Sequence, residues 1–464
     1  MGYLPNKLRF LLRPWAKGGV LLCASSMAIA QDAPGVLALD RQVDDAFRQV
    51  LKTPTNQETG LQYARLLVAV GNYEGGVAAL ERLLLNTDPP PTIRLELAVL
   101  YYRLGSYQMS EALLRQALDD TRLANEQRMM AQTLLRDVTA RNQPSQLSGV
   151  VMLGVRRQSN PSARSDAAQV YAAGHLTSLA EGFKPRSDTD IQLTTRLDHR
   201  YDLGWQNEAV LTSSLVGQIT DYQSSSGRQL RPNQEDPYDL AWVELATGVR
   251  FKPAAIALPS LQVRPYLVLA GLAAQKHNYL NSRGLGLNAD YQINEKTLAS
   301  VTYEYRSHHY ANRVDVPAAE QLSGSNNNLR LQFNREIAPG HLISIELGLR
   351  HHQTGRAYYD YNSQELRLTY ATSYLSPLPS ITGAYWSSSL WAGVGKRNYD
   401  MANPDITTEV LRKDNDWRVG ASLSIPISNN WSVVMQLEHV NVISNLPNYQ
   451  SRNTSLMGAV AYNF

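Results

Sequence analysis

From residue 147 to the carboxyl end the chain reads as a succession of extended segments in which apolar and polar residues alternate. Ile343, Ile345, Leu347 and Leu349 share one face of such a segment, and Ser344, Glu346, Gly348 and Arg350 share the other. The same division sets Ala299, Val301, Tyr303 and Tyr305 against Ser300, Thr302, Glu304 and Arg306. It also sets Ile191, Leu193 and Leu197 against Gln192, Thr194, Arg196 and Asp198. Fourteen strands are predicted, over 147–157, 188–201, 206–222, 238–252, 260–277, 283–294, 297–311, 324–336, 341–354, 360–374, 380–397, 408–426, 430–443 and 452–464. A water-soluble sandwich also alternates, but its strands average five or six residues. These run to about twelve or more, the length of a tilted membrane strand.

The connections point the same way. Those after strands two, six, eight, ten and twelve are short and turn-like, as in "DLGW" and "INEK", and "KPAAIALP" after strand four is modest. Those after strands one, three, seven and eleven are longer and polar, as in "NPSARSDAAQ" and "QSSSGRQLRPNQEDP". An even number of strands with short turns at one end and longer loops at the other is the pattern of an outer-membrane barrel. Closure leaves no sheet edge, which is what a membrane demands of the backbone. The polar face should then line the lumen, with Arg196, Asp198, Glu304, Arg306, Glu346 and Arg350 upon it. Both signs occur, so no ion selectivity is expected.

The last strand, "SLMGAVAYNF", carries Leu456, Gly458, Val460, Tyr462 and Phe464 on one face and ends there. Termini of soluble domains usually fray, whereas an alternate apolar face against lipid gives the closing aromatic a partner. Tyrosine, 25 residues against 6 phenylalanines, fits a protein with much water–lipid boundary.

The first thirty residues have the form of a signal peptide. Lys7, Arg9, Arg13 and Lys17 precede an apolar run from Gly18 to Ile29, and cleavage is expected after Ala30. The only cysteine, Cys23, lies inside that run behind Leu22, so the mature chain is expected to have none. Elsewhere no apolar run is long enough for a membrane helix.

Residues 31–144 are predicted to be a helical domain and 145–464 the barrel. In the helical part Gly71-Asn72-Tyr73 recurs thirty-four residues later as Gly105-Ser106-Tyr107, and Ala64, Leu67, Leu80 and Leu83 map onto Ala98, Tyr101, Leu114 and Ala117. This resembles the tetratricopeptide repeat: Gly71 and Gly105 turn the chain between two helices, and Tyr73 and Tyr107 fill the space between neighbouring pairs. An ordinary pair of helical hairpins is the plainer alternative. Apolar stripes at Leu39, Val43, Phe47 and Val50 and at Met130, Leu134, Leu135 and Val138 predict flanking helices. If the array binds protein segments, Tyr63, Leu67, Tyr101 and Tyr102 are the candidate contacts.

Chemistry-bearing motifs are few. Lys+Arg 44 against Asp+Glu 41, with no basic tract, argues against nucleic acid. His308-His309 and His351-His352 point to opposite faces of their strands, so neither pair chelates by itself. "RGLGLNAD" has no helix behind it to make a phosphate loop. No metal, cofactor or enzymatic activity is expected.

Helices with this repeat, then "LSGVVMLGVRRQSNPSA", "RPYL" at 264–267 and a barrel of fourteen strands resemble the surface lipoprotein assembly modifier family of type XI secretion. The resemblance implies an α + β protein, a small tetratricopeptide-like domain before a 14-stranded antiparallel transmembrane barrel, that exports or displays lipoproteins or secreted haem- or metal-carrier proteins. It implies a periplasmic helical domain, outer-membrane lipid around the barrel, and a client protein as partner; a monomer is expected. Val460, Tyr462 and Phe464 resemble the terminal signal read by the barrel-assembly machinery. An exopolysaccharide exporter and a nutrient porin with an accessory domain are the alternatives. The first would show more repeats and a lumen of one charge sign, and the second would conduct small solutes without any client.

Overall fold

The computed structural model describes residues 34–464 except 55, 87, 206, 225–238, 315 and 379–384. The expected signal peptide, with Cys23, lies outside the described residues, as do parts of the third loop and the beginning of the predicted strand eleven. Two compact units divide at Gln143/Pro144. No described helix is long and apolar enough to cross a membrane.

The described residues of the first unit form six helices: α1 Pro34–Lys52, α2 Gln57–Ala69, α3 Tyr73–Leu84, α4 Pro91–Arg103, α5 Tyr107–Asp119 and α6 Asn125–Asn142. Helices α2, α4 and α6 begin thirty-four residues apart, and so do α3 and α5. The period therefore reaches α6, where no Gly-x-Tyr marks it. The two marked turns share their backbone geometry. Gly71 (φ 82°) and Gly105 (φ 78°) take the left-handed conformation, and Asn72 and Ser106 donate back to the carbonyls of Leu67 and Tyr101. This closes the helix end and needs a residue without a Cβ at the turn. Leu80, Ile93, Leu97, Ala98, Leu114, Ala131 and Val138, none above 1 % exposed, form the core. Ser110 lies where α5 crosses α4, buried completely, its hydroxyl donating to the Ala98 carbonyl at 2.8 Å. Met130, expected on the buried stripe of α6, is 48 % exposed, and its neighbour Ala131 faces the core instead.

The second unit is a closed antiparallel barrel of fourteen strands, each paired with its neighbours in sequence and the last with the first. They are β1 Ser145–Gln158, β2 Asp188–Asp202, β3 Val210–Tyr222, β4 Leu240–Arg250, β5 Leu261–Ala274, β6 His277–Asn294, β7 Thr297–Tyr310, β8 Gly324–Ala338, β9 His341–Thr354, β10 Tyr361–Leu375, β11 Tyr385–Tyr399, β12 Lys413–Pro426, β13 Trp431–Ser444 and β14 Ser451–Asn463. From Leu153 on β1 through Leu245 on β4 and Leu331 on β8 to Val460 on β14, large apolar residues on the outward face are more than a third exposed.

Closure runs from Val150 opposite Asn463 to Gln158 opposite Ser455, and two further backbone bonds join Gly149 and Phe464. The Phe464 ring lies over Gly149, where a Cβ would come within 2.6 Å of it. Tyr462 lies between Phe464, on which it stacks at 6.0 Å, and Trp431, which meets it tilted at 4.9 Å, on the outward face. At the other end of this seam, the first loop lies on the loop between β13 and β14, with Asp166 salt-bridged to Arg452 at 2.6 Å.

Two strand starts differ by several residues from those predicted, and the first loop adds an element. Strand six begins at His277, so β5 and β6 meet in a two-residue turn, Gln275-Lys276, with φ 48° and 64° at residues other than glycine. These are the signs of φ that a tight hairpin turn matching the strand twist requires. Strand twelve begins at Lys413 rather than 408, because 400–412 form a loop. The first loop holds an additional short hairpin, Gln169–Ala172 with His175–Ser178, too small to show as alternation. Inside β5, Pro265 has no N–H to give, and continuous pairing of β4 with β5 stops beside it at Gly248–Tyr266.

Candidate functional site

The inward face of the barrel is polar and internally paired. On β2, Arg196 is 6 % exposed and both its Nε and Nη2 donate to Asp198, at 2.6 and 2.7 Å, two residues along the same face. The same step joins Arg306 Nε to Glu304 on β7 at 2.5 Å, Arg418 to Asp416 on β12, and Arg412 to Asp414 before and into β12. A strand makes this natural, because residues i and i+2 project to the same side.

Other pairs cross strands. Arg306 reaches Glu244 on β4 at 2.5 Å, passing over β5 and β6. Tyr266 on β5 crosses β6 to donate to Glu304 at 2.8 Å. The crossing is possible because Gly284 and Gly286 leave β6 bare: a Cβ on Gly286 would collide with the Tyr266 ring, and one on Gly284 with the Tyr305 carbonyl. Arg264 covers Tyr266 at 5.1 Å, so "RPYL" places a cation and a ring on the lumen wall. Arg330 on β8 faces Glu346 on β9 at 3.7 Å, with Arg350 further along the same face of β9. Arg156 and Gln158 on β1 both donate to Asp190 on β2, at 3.1 and 2.8 Å.

Such a wall presents many charges and little net field. Opposite signs within 4 Å neutralise each other before a passing solute senses either alone. It offers hydrogen bonds at every level without a ring of one sign that would select an ion.

Toward the loop end of the same face, His308 on β7 and His352 on β9 approach to 6.3 Å between ring centres, one from each adjacent pair in the sequence. Tyr361 packs on His352 at 4.9 Å and on Tyr399 at 5.4 Å, and Arg397 covers Tyr361. No group of three or more metal-ligating side chains occurs among the described residues.

In the helical unit, Tyr63 packs against Phe47 at 5.5 Å. The Tyr101 hydroxyl donates to Glu81, which raises its pKa to about 12, and burial together with a bond to Asp137 raises that of Tyr102. Arg141 lies over both Tyr102 and Tyr107. Leu67 is a correction to the candidate contacts: at 5 % exposure it belongs to the core and presents no surface. The apolar surface is elsewhere, at Phe47, Leu51, Met109, Met129 and Met130, 43 to 64 % exposed.

The family model for "Surface lipoprotein assembly modifier" matches residues 151–459, more than half of the chain. The chain belongs to that family. The match runs from β1 into β14, the whole circuit of the barrel, and makes the protein an outer-membrane translocator barrel. No curated protein sequence matches. Among solved structures, a bacterial polysaccharide outer membrane secretin is 10% identical, with a TM-score of 0.33, over 68% of this chain and 98% of its own. An anion-selective porin from Comamonas acidovorans is 10% identical, with a TM-score of 0.35, over 69% and 99%. The outer membrane channel DcaP of Acinetobacter baumannii is 8% identical, with a TM-score of 0.36, over 69% and 97%. These likenesses say nothing of cargo.

The i, i+2 ion pairs stand in the sequence as "RLD", "EYR", "RKD" and "DWR". The partnership of Arg306 with Glu244 does not, because it depends on barrel curvature and on two bare glycines.

Proposed function

We propose that the chain exports or displays specific client proteins, surface lipoproteins or secreted haem- or metal-carrier proteins. Helices 37–141 receive the client in the periplasm, and the barrel conducts it outward. The observation that carries this reading is the family match around the whole barrel. The lumen wall supports it, because paired charges can exchange hydrogen bonds with any polypeptide segment and trap none by net charge. A saccharide exporter would be better served by one prevailing sign.

Reception falls to half-buried rings and exposed methionines of the helical unit, with Met109, Met129 and Met130 added to Tyr63, Tyr101 and Tyr102. Unbranched thioethers adapt to varied apolar segments. With no nucleotide motif in the chain, direction comes from folding or capture of the client outside, by mass action. Val460, Tyr462 and Phe464 serve as the mark read by the barrel-assembly machinery, and a charged extension beyond Phe464 lowers the yield of inserted barrel more than the yield of protein made.

Deletion of 37–141 tests the reading. Surface display of a client encoded nearby should fall to background while the barrel still inserts. Undiminished display would sink the role given to the helices.

A further inference from the structure

The outward face of the barrel changes character along its strands. Its middle is apolar, and toward the loop end it turns polar: Asn362 and Gln364 on β10, Lys396 on β11, Lys413 and Asn415 on β12, His439 on β13. Tyr303, Tyr305 and Trp417, each more than a third exposed, mark the border, the level at which aromatic rings meet lipid headgroups. Arg157, Arg283, Lys396 and Lys413 stand in or above this border without an ion pair among the described residues, and among the described outward strand positions of this half Asp221 is the one carboxylate. The belt is cationic, and the membrane surface it suits is anionic.

One part of it is hollowed. Two adjoining grooves of about 510 and 700 Å³ lie between β2 and β7 and share Val243 and Gly271. Gly217, Ala241, Gly271 and Ala273 hollow out the first, because they lack the bulk that Leu193, Ile219 and Val243 carry beside them. The second is apolar on one side, at Val243, Leu245 and Leu269, and polar on the other, at Asn281, Arg283, Ser307 and His309. Arg283 pairs across the sheet with Leu269 and Ser307, so its side chain leaves the strand between the apolar wall and the hydroxyl and lines the groove. An outward arginine at this level costs only about 0–1 kcal/mol, and an anionic headgroup meeting it turns that cost into attraction.

We propose that this groove holds one phosphorylated lipid of the surrounding leaflet, its acyl chain on Val243, Leu245 and Leu269 and its phosphate at Arg283. Asn281, Ser307 and His309 supply hydrogen bonds to the headgroup. The amphipathic lining matches a ligand with an apolar chain joined to an anion, and the site does not depend on what the lumen carries.

The test uses the full-length protein in phosphatidylcholine vesicles containing spin-labelled phosphatidic acid or spin-labelled phosphatidylcholine, with the motionally restricted fraction read by electron paramagnetic resonance. The wild type should prefer phosphatidic acid, and Arg283→Gln should reduce that preference about fivefold, corresponding to the ~1 kcal/mol that one basic residue contributes at an anionic surface. Gly271→Leu, which fills the groove, should lower the same preference with Arg283 intact. Retarded migration of the unheated barrel on a gel verifies that each variant is assembled. No preference in the wild type, or an unchanged one in assembled Arg283→Gln, overturns the proposal. So does displacement of the labelled lipid by inorganic phosphate alone, which would make the site one for a free anion. A change of oligomeric size in Gly271→Leu with lipid preference unaltered would instead assign the groove to a second copy of the chain.

Discussion

Leucine is treated in opposite ways by the two units. In the helical unit Leu80, Leu97 and Leu114 are at most 1 % exposed. In the barrel Leu285, Leu390 and Leu456 are 60, 58 and 61 % exposed, while Arg196, Asp190 and Asp414 are buried. One unit hides its apolar residues from water, and the other turns them outward and keeps its charges inside. The difference lies in the solvent each surface meets. Apolar area gains nothing from leaving lipid, whereas in water each exposed Å² costs about 25 cal/mol. Paired charges are tolerable within the barrel because the wall supplies their partners.

Three substitutions probe that contrast, in order of effect. Leu114→Ala removes a large side chain from the helical core and should cost about 3–5 kcal/mol. The helical melting transition of the full chain should fall while migration of the barrel on an unheated gel stays as in the wild type. Leu347→Arg, on the outward face of β9, should cost about 2–4 kcal/mol near the bilayer midplane. A soluble surface would accept it, so a variant that assembles as well as the wild type would mean that this face does not meet lipid. Tyr101→Phe removes the bond to Glu81 in a partly exposed position and should cost about 0.5–1 kcal/mol. The folded pKa of Tyr101, about 12, is above the ordinary 10. Its contribution is therefore complete below pH 10 and lost as pH rises through 12, so the gap between wild type and variant should close over that interval.

The barrel was legible in the sequence because its alternation is strict wherever one face meets lipid. It became illegible over His277–Ser282, where outward Asn281 breaks the apolar pattern just past the turn, so the predicted strand began at Arg283 and missed the start of β6. The helical period was legible at Gly71 and Gly105, where a turn demands glycine. It was not legible at Asn125, since α6 is followed by the barrel and needs no such turn. Leu67 shows the limit for function: the repeat position was right, but which side of a helix faces solvent depends on neighbours that spacing alone does not specify. Glu244 shows it for the lumen, where its partner Arg306 lies sixty-two residues away across two strands.

Passage of the client through the barrel is most directly tested by a photoreactive residue at position 348. A Cβ on Gly348 meets only the Glu365 side chain, at 3.8 Å, so a side chain can leave the lumen wall there without a backbone clash. Illumination during export should give an adduct between β9 and the client. A client that reaches the cell surface in full amount, with adducts to probes on the helices and none at 348, would contradict conduction through the lumen.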